Sequence, residues 1–252
     1  LSEVAELARV YADEWISRVK LSSHKSVTPL VSATWLRYNR PIDYVQFTVN
    51  ENPFTIYADG QTDLQQLKPM DFSFPEKCVS ENVISFFSIL TSELNLKFDF
   101  DKRMTGETSF MSNKATKEMQ KFHEFRPFFN FPDSSKSKSA TNVGHVRIDI
   151  KRPDNDKYEV SFVDTVKGEP FEPKSIQDLI SFLEKFGTFR VTIKPSRIIS
   201  APVYFGSNYK LMWQTFIIEK LVNSSGDICM LQSLCLSSSS PVKSIHESCS
   251  EH

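Results

Sequence analysis

The residues of this 252-residue chain that could do chemistry are five histidines, four cysteines and a scatter of carboxylates. Metal binding and acid–base work need such groups at set spacings, and His24, His123, His145, His246 and His252 show none. His145, Arg147 and Asp149 alternate with Val146 and Ile148, which places a base, a cation and an acid on one strand face. They are the first candidates for an enzyme site if other polar groups converge on them, and a solvated sheet face if none do. Cys78, Cys229, Cys235 and Cys249 form no CxxC pair, which argues against a zinc site and against a disulfide framework. Cys78 and Cys229 sit among apolar residues and read as small buried groups.

Nucleophile elbows, Walker-type loops, GxGxxG and HExxH are absent from the sequence, and 7 glycines leave little material for a phosphate cradle. Asp154-Asn155-Asp156 is turn chemistry without the glycine and distant glutamate of a calcium loop, and Asp99-Phe100-Asp101 reads as the outer face of an edge strand. The expectation is therefore no metal, no cofactor and no catalytic residue.

One segment combines cations with aromatics. Lys114, Lys117, Lys121 and Arg126 interleave with Phe122, Phe125, Phe128, Phe129 and Phe131, with Lys136 and Lys138 just beyond. Lys117, Lys121 and Arg126 could contact phosphates while the rings stack on bases. Glu118 and Glu124 dilute that charge, and the chain as a whole carries 30 basic and 31 acidic residues, so nucleic acid is the disfavoured partner. The five phenylalanines, in a chain with 21 of them, instead suggest a surface for a protein partner.

These residues must be positioned by ordinary α+β elements. Ser2 caps a first amphipathic helix over the first 20 residues, with Val4, Leu7, Ala8, Tyr11, Trp15 and Val19 on one face. Leu30 to Tyr38 reads as a strand, and Tyr44 to Val49 with Phe54 to Ala58 as a hairpin around Asn50-Glu51-Asn52-Pro53. A loop with Pro69 and Pro75 leads to a helix capped by Ser80, carrying Val83, Phe86, Phe87, Leu90 and Leu94 inward, and then to alternating Leu96, Phe98 and Phe100. Lys114 to Phe125 is helical, and Pro127 ends it.

A similar order recurs after the serine- and lysine-rich stretch 132–141. Val146 to Ile150 and Tyr158 to Phe162 form a second hairpin, Ser175 caps a helix stopping at Gly187, Phe189 to Ile193 and Arg197 to Phe205 are strands, and Ser207 opens a last helix. The shared order and the match of Ile84-Ser85-Phe86 with Ile180-Ser181-Phe182 suggest an internal repeat.

The expected fold is thus α+β: two related ββαβα units with mainly antiparallel sheets, preceded by an amphipathic helix and strand. Residues 1–131 form the first unit, 132–141 a flexible linker, 142–236 the second unit and 237–252 a disordered serine-rich tail. Ser240-Pro241 and Ser134 to Ser139 are phosphorylation candidates, and Asn223-Ser224-Ser225 is one glycosylation triplet. No stretch is apolar over the 18 or so residues that span a bilayer, so membrane insertion is not expected, and the cysteines favour an intracellular site, cytoplasmic or nuclear. The functional expectation is a non-enzymatic interaction module of adaptor or scaffold type, using a groove between the units and the Phe122 to Phe131 segment. An enzyme of unrecognised class and a nucleic-acid binder are its alternatives.

Overall fold

A computed structural model of the protein describes residues 2–28, 31–50, 55–56, 72–104, 124–129, 145–148, 160–165, 167–183, 187–200, 209–221 and 235–237. Helix α1 (Ser2–Arg18) leads into β1 (Val19–Thr28), β2 (Val31–Tyr38), β3 (Tyr44–Val49), β4 (Thr55–Ile56) and β5 (Phe72–Pro75). A 3-10 turn (Glu76–Cys78) precedes α2 (Glu81–Lys97), α3 (Phe100–Met104), β6 (His145–Ile148), β7 (Ser161–Asp164), β8 (Glu169–Phe171) and α4 (Ile176–Leu183). Two long strands, β9 (Thr188–Ser200) and β10 (Tyr209–Leu221), and the short β11 (Cys235–Ser237) complete the order.

The α+β class and the mainly antiparallel pairing are as the sequence implies. Eight strands form one sheet in the order β1-β2-β9-β10-β7-β8, with β3 also on β9 and β11 on β3, while β4, β5 and β6 form a second sheet. Only β7 on β10 is parallel in the large sheet. Helices α1 and α2 lie against its inner face, where Tyr11, Trp15, Phe86, Phe87 and Leu90 meet Val45, Phe47, Val191, Trp213 and Ile218 in one hydrophobic cluster. That cluster draws on both sides of residues 132–141, because β2 and β3 from the first half pair directly with β9 from the second.

Among the described residues neither expected hairpin pairing forms. β3 pairs with β9 and β11, whereas β4 pairs with β5 in the other sheet. Likewise β6 pairs with β5, and β7 pairs with β8 and β10. A two-residue-period pattern on either side of a turn signals two strands but not their partners, and here long-range pairing prevails over the local one. The repeat of ββαβα units is not carried by these pairings.

Four further segments differ from the sequence reading. The first helix stops at Arg18, and Val19–Thr28 is an edge strand whose polar residues need no second partner. Leu96 belongs to α2 and is 79% exposed, while Asp99 caps α3, its Oδ1 accepting from the Lys102 N–H at 3.0 Å. Phe98 and Phe100 both reach the core from this bend. Residues 209–221 are a strand, not a helix: apolar side chains on both faces, with an extra residue at Phe216, imitate helical spacing. β9 is one strand through Pro195 rather than two.

Pro195 is tolerated in a central strand for a local reason. β2 pairs with β9 at Arg197 to Ser200 and β3 pairs with it at Phe189 to Ile193, so Lys194, Pro195 and Ser196 lie where one neighbour hands over to the other. A residue without an N–H fits that gap. The Tyr38 hydroxyl fills it, donating to the Pro195 carbonyl at 2.8 Å and accepting from Trp15 Nε1 at 3.1 Å. The register shift at Ser196 then keeps Lys194 and Arg197 on the same outer face.

Of the expected serine caps, those at Ser80 and Ser175 form. Ser80 Oγ accepts from the Val83 N–H, and at α4 Ser175 Oγ accepts from the Asp178 N–H at 3.1 Å while Asp178 Oδ2 accepts from the Ser175 N–H at 3.1 Å. Ser175→Ala removes half of this reciprocal box, with an expected loss of about 1 kcal/mol of unfolding free energy in a urea titration. Leu96→Ala, at an exposed position, should change it by less than about 0.5 kcal/mol.

Candidate functional site

The phenylalanine segment is placed only in part, since Phe122, Phe131, Lys117 and Lys121 lie outside the described residues. Phe125 and Phe129 are each 3% exposed and belong to the core, so they are not a free surface for a partner. The backbone explains this. Phe125 pairs with Tyr209 at the start of β10, Arg126 N–H donates to Tyr209 O at 2.7 Å, and Tyr209 N–H donates to Glu124 O at 2.8 Å. The Asn95 side chain clamps the other edge, accepting from Phe125 N–H at 2.6 Å and donating to Phe125 O at 3.3 Å. Phe128 is half-buried and stacks on Phe87 at 4.2 Å between ring centroids.

A cavity of about 10 Å³ lies beside Phe128 and Arg126, against Leu94, Leu211 and Trp213. That is room for about one water, too little for any organic ligand.

His145 and Arg147 lie on β6, opposite Pro75 and Ser73 of β5, and Asp149 lies outside the described residues. The linker 132–141 and the tail residues 238–252 are also outside them, as are Cys229, Cys249 and the Asn223 triplet. Cys78 is a buried thiol. Among the described residues no group of three or more histidine, cysteine, aspartate and glutamate side chains could hold a metal ion. No helix there is long and apolar enough to cross a membrane.

The outer face of the large sheet is a feature that sequence reading did not single out. Antiparallel partners share a face. Val45, Phe47 and Val49 oppose Ile193, Val191 and Phe189 on the buried side, so the residues between them point outward. Following the register from β1 to β10 places Lys20, Lys25, Arg37, Arg190, Lys194, Arg197 and Lys210 on that outer face. Glu219, bonded to Arg190 at 3.5 Å, is the single carboxylate there among the described strands.

Aromatics accompany the cations. Trp35 is 39% exposed, and the Arg197 guanidinium lies over its ring at 5.2 Å. Lys194 Nζ lies 5.6 Å from the Tyr38 ring centroid, 5.4 Å from Tyr44 and 5.2 Å from Phe216, and Tyr44 and Phe216 meet edge to face at 4.9 Å. Four rings are thus engaged by the chain's own cations. Burial lowers the Lys194 pKa from the ordinary lysine value and raises that of Tyr44. The lysine shift opposes folding while the amine is charged, so its contribution improves as pH rises through the lowered folded value towards the unfolded one.

Individual strands hint at this face, as in Trp35-x-Arg37 and Lys194-x-x-Arg197. The hint is weak because the face is assembled from four strands, and only their register brings the cations together. Comparison with protein-family models and with curated proteins returned no match.

Proposed function

We propose that the chain is a non-enzymatic interaction module, of adaptor or scaffold type, that docks an acidic segment of a protein partner on the outer face of its large sheet in an intracellular setting. The observation that carries this reading is the charge of that face: seven cations against one carboxylate among the described strands, in a chain whose total charge is −1. Such a concentration draws a complementary surface and favours encounter with it. It replaces the phenylalanine segment as the contact surface, because Phe125 and Phe129 are spent on the core.

Nucleic acid would meet the same cations, but base stacking needs bare ring faces. Here Arg197 covers Trp35, and Lys194 sits among Tyr38, Tyr44 and Phe216, which favours carboxylates over bases.

The test uses the full chain and a fluorescein-labelled peptide of ten glutamates at near-physiological salt, with anisotropy as the readout. The double variant Lys25→Glu/Arg37→Glu changes two exposed positions and leaves the core intact. Wild type should bind, with affinity falling as salt is raised, and the variant should bind at least about tenfold more weakly. Equal affinity of wild type and variant removes the reading. Tighter binding of a ten-nucleotide thymidine oligomer than of the peptide transfers the face to nucleic acid.

A further inference from the structure

The cationic face ends at an open strand edge. β1 stands at the end of the order β1-β2-β9-β10-β7-β8, and among the described residues it pairs with β2 alone. The Asn39 N–H donates to Arg18 O at 3.1 Å, in the same register that sets Val19 against Tyr38 and Lys20 against Arg37. Bonded and non-bonded pairs alternate in an antiparallel ladder, so Lys20 is bonded to Arg37 while the Leu21 N–H and C=O are directed away from β2. Solvent reaches this strand: Lys20 and Lys25 are exposed, and Val27 is 60% exposed. Such an edge is a template for one more strand.

The two sides of β1 differ in chemistry. Lys20 and Lys25 stand on the cationic outer face beside Arg37 of β2, whereas Val19 is buried and the half-buried Leu21 packs on the core. The side chains of an added strand alternate between these two sides, about 5 Å from their neighbours on β1. We propose that β1 takes up, by strand addition, an extended segment of the partner in which acidic and aliphatic residues alternate. Its carboxylates meet Lys20 and Lys25, its aliphatic side chains lengthen the apolar row of Val19 and Leu21, and its backbone pairs with the outward Leu21 N–H and C=O. The inference rests on the docking reading and adds to it the conformation and the pattern of the docked segment. A second copy of β1 is disfavoured in that place, because lysines would face lysines. The register breaks between Leu21 and His24 and between Ser26 and Thr28 bend the edge, which admits a single strand and opposes a flat stack of many.

The experiment uses the full chain and two fluorescein-labelled twelve-residue peptides of equal composition and charge, one of six Val-Glu repeats and one of three Val-Val-Glu-Glu repeats. Anisotropy gives their affinities, and amide hydrogen exchange followed by nuclear magnetic resonance reports on β1. The alternating peptide should bind at least about fivefold more tightly than the paired one, since only its pattern suits both sides of β1. At saturation the Leu21 amide should exchange at least about tenfold more slowly, with the Leu90 amide of α2 unchanged. Equal affinities, or an unchanged Leu21 rate, overturn strand addition, while binding of the ten-glutamate peptide leaves the docking face in place. Binding of none of the three peptides removes the docking reading and this inference with it. Slow exchange at Leu21 that appears on concentrating the protein without peptide assigns the edge to a second copy, and overturns the proposal.

Discussion

Phe87→Ala should destabilise the protein by about 3–5 kcal/mol, enough to leave a chain of this size near its unfolding threshold. Phe87 is 1% exposed, and its ring meets Phe47, Phe86, Phe128, Phe129 and Trp213 at centroid distances of 4.2 to 5.8 Å. These partners come from β3, α2, the 124–129 segment and β10, so no single neighbour can relax into the void. Loss of the ring forfeits its transfer free energy, the cavity term and the edge-to-face and stacked contacts together. The midpoint of urea unfolding followed by tryptophan fluorescence measures it. A loss below about 1 kcal/mol would mean that the aromatic cluster is looser than these contacts imply.

The second large effect belongs to a single oxygen. Tyr38→Phe keeps the ring and removes the hydroxyl that accepts from Trp15 Nε1 and donates to the Pro195 carbonyl. Trp15 is 0% exposed, so its N–H has no water to turn to. Two polar groups left without partners, at about 1–3 kcal/mol each, give an expected loss of about 2–4 kcal/mol. The pH dependence has its own sign. Burial raises the Tyr38 and Tyr11 pKa values above the ordinary tyrosine value, so stability is full below about pH 10 and falls as the pH rises further and the unfolded chain ionises first. Tyr38→Phe should lessen that alkaline fall, and an unchanged alkaline slope would count against a buried hydroxyl.

How much of this was legible in the sequence depends on the distance over which each feature is decided. The inner faces of α1 and α2 and the caps at Ser80 and Ser175 are local, and periodicity and cap chemistry expose them. Strand partners are not local. β3 and β4 are adjacent in sequence and read as a hairpin, yet they belong to different sheets because β9 offers Val45, Phe47 and Val49 a fully buried face. Strand β10 misleads through its bulge at Phe216, which turns a two-residue period into helical spacing. The candidate site suffers most, since Lys25, Arg37, Arg197 and Lys210 share a surface only after three registers are fixed. In the phenylalanine segment, Phe125 and Phe129 read as part of an interface yet fill the core, with Asn95 holding the Phe125 backbone.

The uneven distribution of charge has a consequence for how the molecule orients itself. In a chain of 30 basic and 31 acidic residues, seven and one stand on the outer face of the described strands. A nearly neutral chain that carries such a patch has a preferred side towards an oppositely charged surface. It should be retained on a cation-exchange resin at a pH where its net charge is already negative, with the sheet turned to the resin.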